Sequence, residues 1–351
     1  MKEKKSYIWS ASEAFCNLAA QYPSLTLARV LSQEKDLYRL ITCEGECLAK
    51  VSGKFRYQTV SVSDFPAVGD YVMADHICED SPAVIHELLP RKSVFTRKAA
   101  GTSQTEQVVA ANIDTVFLCM ALNNDFNVRR LERYLSIAWD SGAVPVVVLT
   151  KSDLCDDLEE KRLLVETAAI GVDILETSAL EQEGITQILP YIQKEKTVAF
   201  IGSSGVGKST LINCLLGEER LATNGLRNDD KGRHTTTHRE LLFLPNGGMV
   251  IDTPGMRELG MWDSGEGIDR TFTDIEELSH QCRFHNCTHT SEPGCAVRKA
   301  LEEGAVSKER LQSYQKLKAE NAYLEDSESY LVAKEKKFKE IAKYNKNNRK
   351  R

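Results

Sequence analysis

Two kinds of apolar pattern divide the chain. From about residue 25 to 95 the apolar positions come in short runs, TLARVL, LYRLIT, CLAKV, FRYQTVSV and GDYVMAD, each closed by turn residues. Runs of that length and spacing predict a small all-β barrel or sandwich, and leave OB and SH3-like barrels both open. From about Asn112 strand-like and helix-like runs alternate. IDTVFLCMAL and VPVVVLT read as buried strands, whereas VRRLERYLSIAWDSG and LEEKRLLVETAAIG carry apolar residues at helical spacing and end on glycine. VDILETSA, TVAFIG, ELLFLP and MVIDTPG predict further strands. Such alternation implies an α/β domain, a mostly parallel sheet covered by helices on both faces. After about Gly260 the strands stop, and ALEEGAVSKERLQSYQKLKAENAYL predicts polar helix. The breaks near 97–111 and 260–272 divide the chain into an extension (1–23), a barrel (24–97), an α/β domain (98–262) and a C-terminal domain (263–351).

Composition narrows the class. Of 351 residues, 42% are hydrophobic and 27% charged, enough apolar material for a sizeable core. No apolar run reaches the length of about 18 residues that a membrane span needs. MKEKKSYIWSASEAF lacks the apolar segment of a secretory signal. Ten cysteines stand mostly singly in apolar runs, which suits a reducing cytoplasm; a cytoplasmic monomer is expected. The net charge of −6 gives no support for nucleic-acid binding. The basic end AKEKKFKEIAKYNKNNRKR is either a solvated helix end or an arm that touches a polyanion.

Gly202-Ser203-Ser204-Gly205-Val206-Gly207-Lys208-Ser209 fits G-x-x-x-x-G-K-[ST], and Thr210 follows it. Glycines let backbone N–H groups turn inward around phosphate oxygens. Lys208 supplies a point charge to the β and γ phosphates, Ser209 a hydroxyl to magnesium, and the following helix its positive end. A predicted strand before the loop and a predicted helix after it are the setting this motif requires.

Three further motifs end predicted strands. Thr150-Lys151-Ser152-Asp153 resembles the guanine-reading N-K-x-D of GTPases, with Thr150 where that pattern has asparagine. The Asp153 carboxylate can accept from the ring N–H and the exocyclic amine of guanine, a donor pair that adenine lacks. Ser178-Ala179 resembles the motif whose backbone N–H reads the guanine carbonyl. Asp252-Thr253-Pro254-Gly255 resembles D-x-x-G, in which the aspartate holds magnesium through water and the glycine N–H meets the γ phosphate. Gly232-Arg233-His234-Thr235-Thr236-Thr237 resembles a first switch, with Thr236 closing on magnesium. All fall where open α/β sheets bind ligands. In ordinary GTPases the phosphate loop comes first. Here the base-reading motifs precede it, which is a circular permutation, and DTPG leads almost directly into the C-terminal domain.

Cys282, Cys287, His289 and Cys295 form Cys-x₄-Cys-x-His-x₅-Cys, three thiolates and an imidazole that can complete one tetrahedral structural zinc site. His280 and His285 are rival ligands. The segment is too short and polar to build a core, so a metal would explain its folding. Four protein ligands leave no open position for catalysis.

Barrel, permuted GTPase and Cys₃His segment together resemble the RsgA family, bacterial GTPases of small-ribosomal-subunit biogenesis. The resemblance rests on TKSD, GSSGVGKST, GRHTTTH, DTPGMRELG and the 282–295 cluster, and covers nearly all the chain. It implies an OB fold for the barrel, binding to the immature 30S subunit and its 16S rRNA, GTP hydrolysis stimulated by that subunit, and a late role in maturation. It also implies a catalytic histidine in the first switch, which falls on His234; Met256, after DTPG, cannot orient water as glutamine does elsewhere. Three other readings stay open on the residues alone: another permuted GTPase acting on RNA or translation, an ATPase, for which Asp153 is the discriminating residue, and an RNA-binding module with a structural nucleotide site. Lys208, Ser209 and Asp252, all present, favour an enzyme over the latter.

Overall fold

The computed structural model describes residues 9, 11–75, 81–98, 106–221, 239–252 and 265–323. Five strands build the barrel: β1 (Thr26–Glu34), β2 (Leu37–Thr42), β3 (Gly45–Val51), β4 (Tyr71–Asp75) and β5 (Ala83–Leu88). They pair in the order β1-β2-β3-β5-β4 and close through β1–β4; only β3–β5 is parallel. That closed five-stranded order is the OB type, which the run lengths alone leave open. FRYQTVSV, expected as a strand, is not one. Ser52 accepts a hydrogen bond from Phe55 N and starts helix α2 (Gly53–Gln58); a 3-10 turn follows at Val62–Asp64. The N-terminal segment docks on the barrel, its helix α1 (Glu13–Ala19) stacking Phe15 on Tyr71 at 3.7 Å between centroids.

β1 shows why the barrel is fixed to its neighbour. Ala28 and Val30 point into the barrel core, while Leu31 joins the main core of the molecule. Arg29 lies between and is 1% exposed. Its guanidinium donates to Gly69 O (3.2 Å), Asn112 O (3.3 Å) and Thr197 Oγ1 (2.8 Å), and sits 4.6 Å from the Tyr71 ring centroid. A buried cation so fully bonded ties barrel to sheet at a fixed register. Between the two, β6 (Val94–Lys98) and β7 (Glu106–Ala111) form a hairpin, so the expected boundary region carries a strand.

The α/β sheet holds β8 (Thr115–Ala121), β9 (Val144–Thr150), β10 (Asp173–Thr177), β11 (Thr197–Ile201), β12 (Glu240–Phe243) and β13 (Met249–Asp252) in the order β10-β9-β8-β11-β13-β12. All neighbours are parallel except β13–β12. β8 is apolar throughout because both faces are covered. Val116 and Leu118 share one core cluster with Leu131 and Leu135 of α3 (Val128–Ser141) and Val165 of α4 (Leu158–Ala168); Phe117 and Cys119 share another with Leu211 and Leu215 of α5 (Lys208–Leu216). At the far edge, β12 pairs with β1 (Ser32 opposite Glu240), joining sheet and barrel into eleven strands.

The described C-terminal residues form four helices, α6 (Gly265–Thr271), α7 (Thr273–Ser279), α8 (Ala296–Glu302) and α9 over 308–323, with turns and loop over 280–295 between α7 and α8. The expected continuous helix breaks after α8 near Gly304. Phe272, Ile275, Val297 and Leu311 share the main core with α3. Arg310 bridges the fully buried Glu132 of α3 (3.0 Å) and Asp274 of α7 (2.7 Å), so this domain is locked to the GTPase-like sheet. Among the described residues no helix is long and apolar enough to cross a membrane.

Candidate functional site

β11 ends in the phosphate loop. Gly205 (φ 71°) and Gly207 (φ 105°) take left-handed backbone that a side chain would strain, and a Cβ on Gly202 would stand 2.5 Å from Cys119 O of β8. The loop is half-open: Val206 is buried, Ser204 and Gly205 exposed, Ser203 and Gly207 half-buried. Lys208 Nζ donates to Gly202 O and Ser203 O, both at 2.7 Å, curling over the loop. Ser209 and Thr210 occupy the first turn of α5, half-buried.

The Thr150–Asp153 turn follows β9, two strands away. Thr150 is buried and its hydroxyl donates to Val206 O at 2.6 Å, so the residue that departs from the N-K-x-D pattern binds the phosphate loop. Lys151 adopts left-handed backbone (φ 59°), which turns Ser152 and the exposed Asp153 away from the sheet. After β10, Ser178 Oγ donates to Asp153 Oδ1 at 2.6 Å, and Ala179 stands beside it, half-buried. Ser178 also exchanges two backbone hydrogen bonds with Glu183. Thr150–Asp153, Ser178-Ala179, the phosphate loop and Asp252 therefore lie at the carboxyl ends of β9, β10, β11 and β13.

Asp252 closes β13. Burial pushes its carboxyl pKa up, the Lys208 charge pulls it down, and Glu240, opposite it on β12, pushes it up again. Glu240 itself is bound by Arg39 of β2 and by Arg220 at 3.3 Å. His234, Thr236, Gly255 and Met256 lie outside the described residues. One contact had no motif to announce it: Ser203 Oγ donates to Asp125 in the β8–α3 turn. The Asn-Asn-Asp run at a strand's carboxyl end is the only signal the sequence carries for it.

The Cys/His segment forms a second cluster. The ligand atoms of Cys282, Cys287, His289 and Cys295 all lie within 4.8 Å of one another. Cys282 Sγ is 3.8 Å from Cys295 Sγ, and His289 Nδ1 is 3.7 and 3.4 Å from the two sulfurs. A tetrahedral metal with bonds of about 2.3 Å to sulfur sets sulfurs about 3.8 Å apart, so the donor set and its spacing fit zinc. His280 and His285 are exposed and outside the cluster. Burial lowers the His289 pKa, which favours the neutral imidazole that ligates metal.

The RsgA GTPase profile matches residues 88–262. A second profile, described as 50S ribosome-binding GTPase, matches residues 197–343, beginning at the strand before the phosphate loop. Among curated relatives, small ribosomal subunit biogenesis GTPase RsgA 2 of Lactiplantibacillus plantarum is 54% identical, covering 85% of this chain and 84% of its own length. RsgA 1 of Oceanobacillus iheyensis is 45% identical, covering 92% and 93%. Among solved structures, YjeQ from Thermotoga maritima superposes with a TM-score of 0.64 at 28% identity, covering 85% of this chain and 99% of that one. YloQ, described as a circularly permuted GTPase, gives 0.60 at 25% identity, covering 86% and 96%. With the permuted sheet, the OB barrel and the Cys₃His cluster in place, these likenesses assign the chain to the RsgA family of small-ribosomal-subunit biogenesis GTPases.

Proposed function

We propose that the chain hydrolyses GTP to GDP and phosphate late in maturation of the 30S subunit, that it docks on that particle and its 16S rRNA, and that docking speeds hydrolysis. It acts in the cytoplasm as a monomer. The observation that carries this reading is that the Thr150–Asp153 turn, the Gly202–Ser209 loop and Asp252 stand at the same end of β9, β11 and β13 in one sheet, with Thr150 bonded to the loop. The names of the relatives support the choice of particle.

In this reading the N–H groups from Ser203 to Thr210 cradle the phosphates, and Lys208 leaves its carbonyl partners to reach the β and γ oxygens. Asp153 accepts from the guanine ring N–H and amine, held in line by Ser178. Lys151 lies along the base, Ser152 continues the turn, and the Ala179 N–H meets the guanine carbonyl. Ser209, Thr236 and Asp252 would hold magnesium, which when bound with GTP would neutralise charge on the β and γ oxygens. The Gly255 N–H meets the γ phosphate, and His234 orients the attacking water. The water oxygen bonds to the γ phosphorus as the β–γ bridge breaks, and the bridging oxygen leaves with GDP. Cys282, Cys287, His289 and Cys295 would hold one structural zinc.

The test is GTP turnover with and without purified 30S subunits, in the wild type and in His234→Ala. Slow turnover alone and multi-fold stimulation by the subunit are expected, with His234→Ala slowed at nearly unchanged GTP affinity. Equal rates with and without subunit would remove the particle as activator. An unchanged rate in His234→Ala would remove the water-orienting role.

A further inference from the structure

We propose that Asp125 is a positioning residue of the nucleotide site, holding the phosphate loop in its ligand-accepting shape through the Ser203 hydroxyl. The inference rests on reading Gly202–Ser209 as the phosphate site. Asp125 Oδ2 accepts from Ser203 Oγ, while its other oxygen, Oδ1, accepts from Arg130 Nη1 at 2.8 Å in the first turn of α3. The turn that carries Asp125 is itself anchored. Asp125 N donates to Asn123 Oδ1 (3.0 Å), Asn127 caps α3 through Arg130 N (3.0 Å), and Lys161 of α4 reaches Leu122 O at 3.2 Å and lies over Phe126.

The phosphate loop is thus pinned at two points, Ser203 by Asp125 and Val206 by Thr150, with the exposed Ser204 and Gly205 between them. A loop held in its bound shape loses less freedom when phosphates arrive, and that saving appears as affinity. A carboxylate beside an anion site ordinarily repels the ligand. Here Arg130 is its ion-pair partner and the Lys151 charge is also felt there. Burial pushes the Asp125 pKa up, but the hydrogen bonds of Ser203 and Arg130 and the Arg130 and Lys151 charges outweigh it. The group therefore stays an ionised acceptor at neutral pH, and a charge-assisted bond to Ser203 is the stronger kind.

The role is separable from a merely structural one by a double-mutant cycle. Equilibrium binding of GDP and of a non-hydrolysable GTP analogue is measured for the wild type, Asp125→Ala, Asp125→Asn, Ser203→Ala and the double alanine variant, with turnover at saturating GTP alongside. Each alanine variant is expected to bind both nucleotides about tenfold more weakly, about 1.4 kcal/mol. The double variant should be no weaker than the singles, since both lose one contact. Asp125→Asn keeps an acceptor for Ser203 and should bind more tightly than Asp125→Ala. If Asp125→Ala does not fold, Ser203→Ala against Asp125→Asn/Ser203→Ala carries the same comparison. Multiplying losses in the double variant, or unchanged affinity in the singles, would overturn the proposal. A wild type that binds neither nucleotide would instead overturn the phosphate-site reading beneath it.

Discussion

Thr150 stands where guanine-reading turns carry asparagine, and its short hydroxyl reaches Val206 O at 2.6 Å from a fully packed position. Thr150→Val keeps the shape and leaves that carbonyl without its donor, a loss of about 1–3 kcal/mol if the carbonyl stays buried. GTP and GDP affinity should therefore fall together, about tenfold; titration with fluorescent GDP giving wild-type affinity would show the contact to be dispensable. Asp153 tests the base itself. Asp153→Asn turns an acceptor pair into a mixed group, so GTP should weaken and xanthosine triphosphate gain, because its exocyclic oxygen accepts where guanine's amine donates. A wild type that binds ATP as tightly as GTP would end the guanine assignment. Residues like these are legible in sequence because each motif is contiguous and its chemistry is local. Asp125 is not, since its partner Ser203 is 78 positions away and only the fold brings the two together.

At the scale of elements, the strands of the α/β sheet follow from their long apolar runs, because burial on both faces leaves no polar alternation to blur them. The barrel is harder to read. FRYQTVSV has strand-like composition, yet Ser52 caps a helix there and Tyr57 and Val60 remain exposed. A helical connection between β3 and β4 belongs to the barrel's crossing, which local propensity does not encode. Closure through β1–β4 is a long-range pairing and equally silent. The Cys/His loop is the reverse case, since the spacing of its cysteines and histidine announces it while no apolar pattern does. Its Cys295 also starts α8 by accepting from Arg298 N. Purified protein should carry one zinc per chain, and Cys287→Ser should release it and raise amide exchange across 282–302. Metal analysis of the intact protein finding no zinc would remove the structural-site reading, and unchanged exchange after release would show that the loop folds without it.

For the whole molecule the permutation sets what a docked partner can move. β12 lies between residues 222–238, which contain the expected first switch, and β13, whose last residue is Asp252. The same strand pairs with β1 of the barrel, and Glu240 on it is bound by Arg39 of β2. On the other side, α3 is locked to the C-terminal helices through Glu132 and Arg310. Barrel and C-terminal domain thus both grip the GTPase sheet, one of them at the strand beside Asp252. OB barrels and small metal modules commonly meet RNA by backbone and stacking contacts. A large RNA surface touching both modules would then favour one arrangement of the strands and switches around bound nucleotide. By linkage, a particle that prefers the GTP-bound form must raise GTP affinity by the same factor. The expected result is tight co-sedimentation with isolated 30S subunits in a non-hydrolysable GTP analogue and weaker co-sedimentation in GDP. Both should weaken with added salt, as phosphate contacts release counterions. Arg39→Ala cuts the side-chain tie between barrel and β12 while leaving the nucleotide loops intact, so it should narrow the difference between the two nucleotide states. Equal co-sedimentation of the wild type in GDP and the analogue would refute nucleotide-timed release, and none in either state would refute the ribosomal partner.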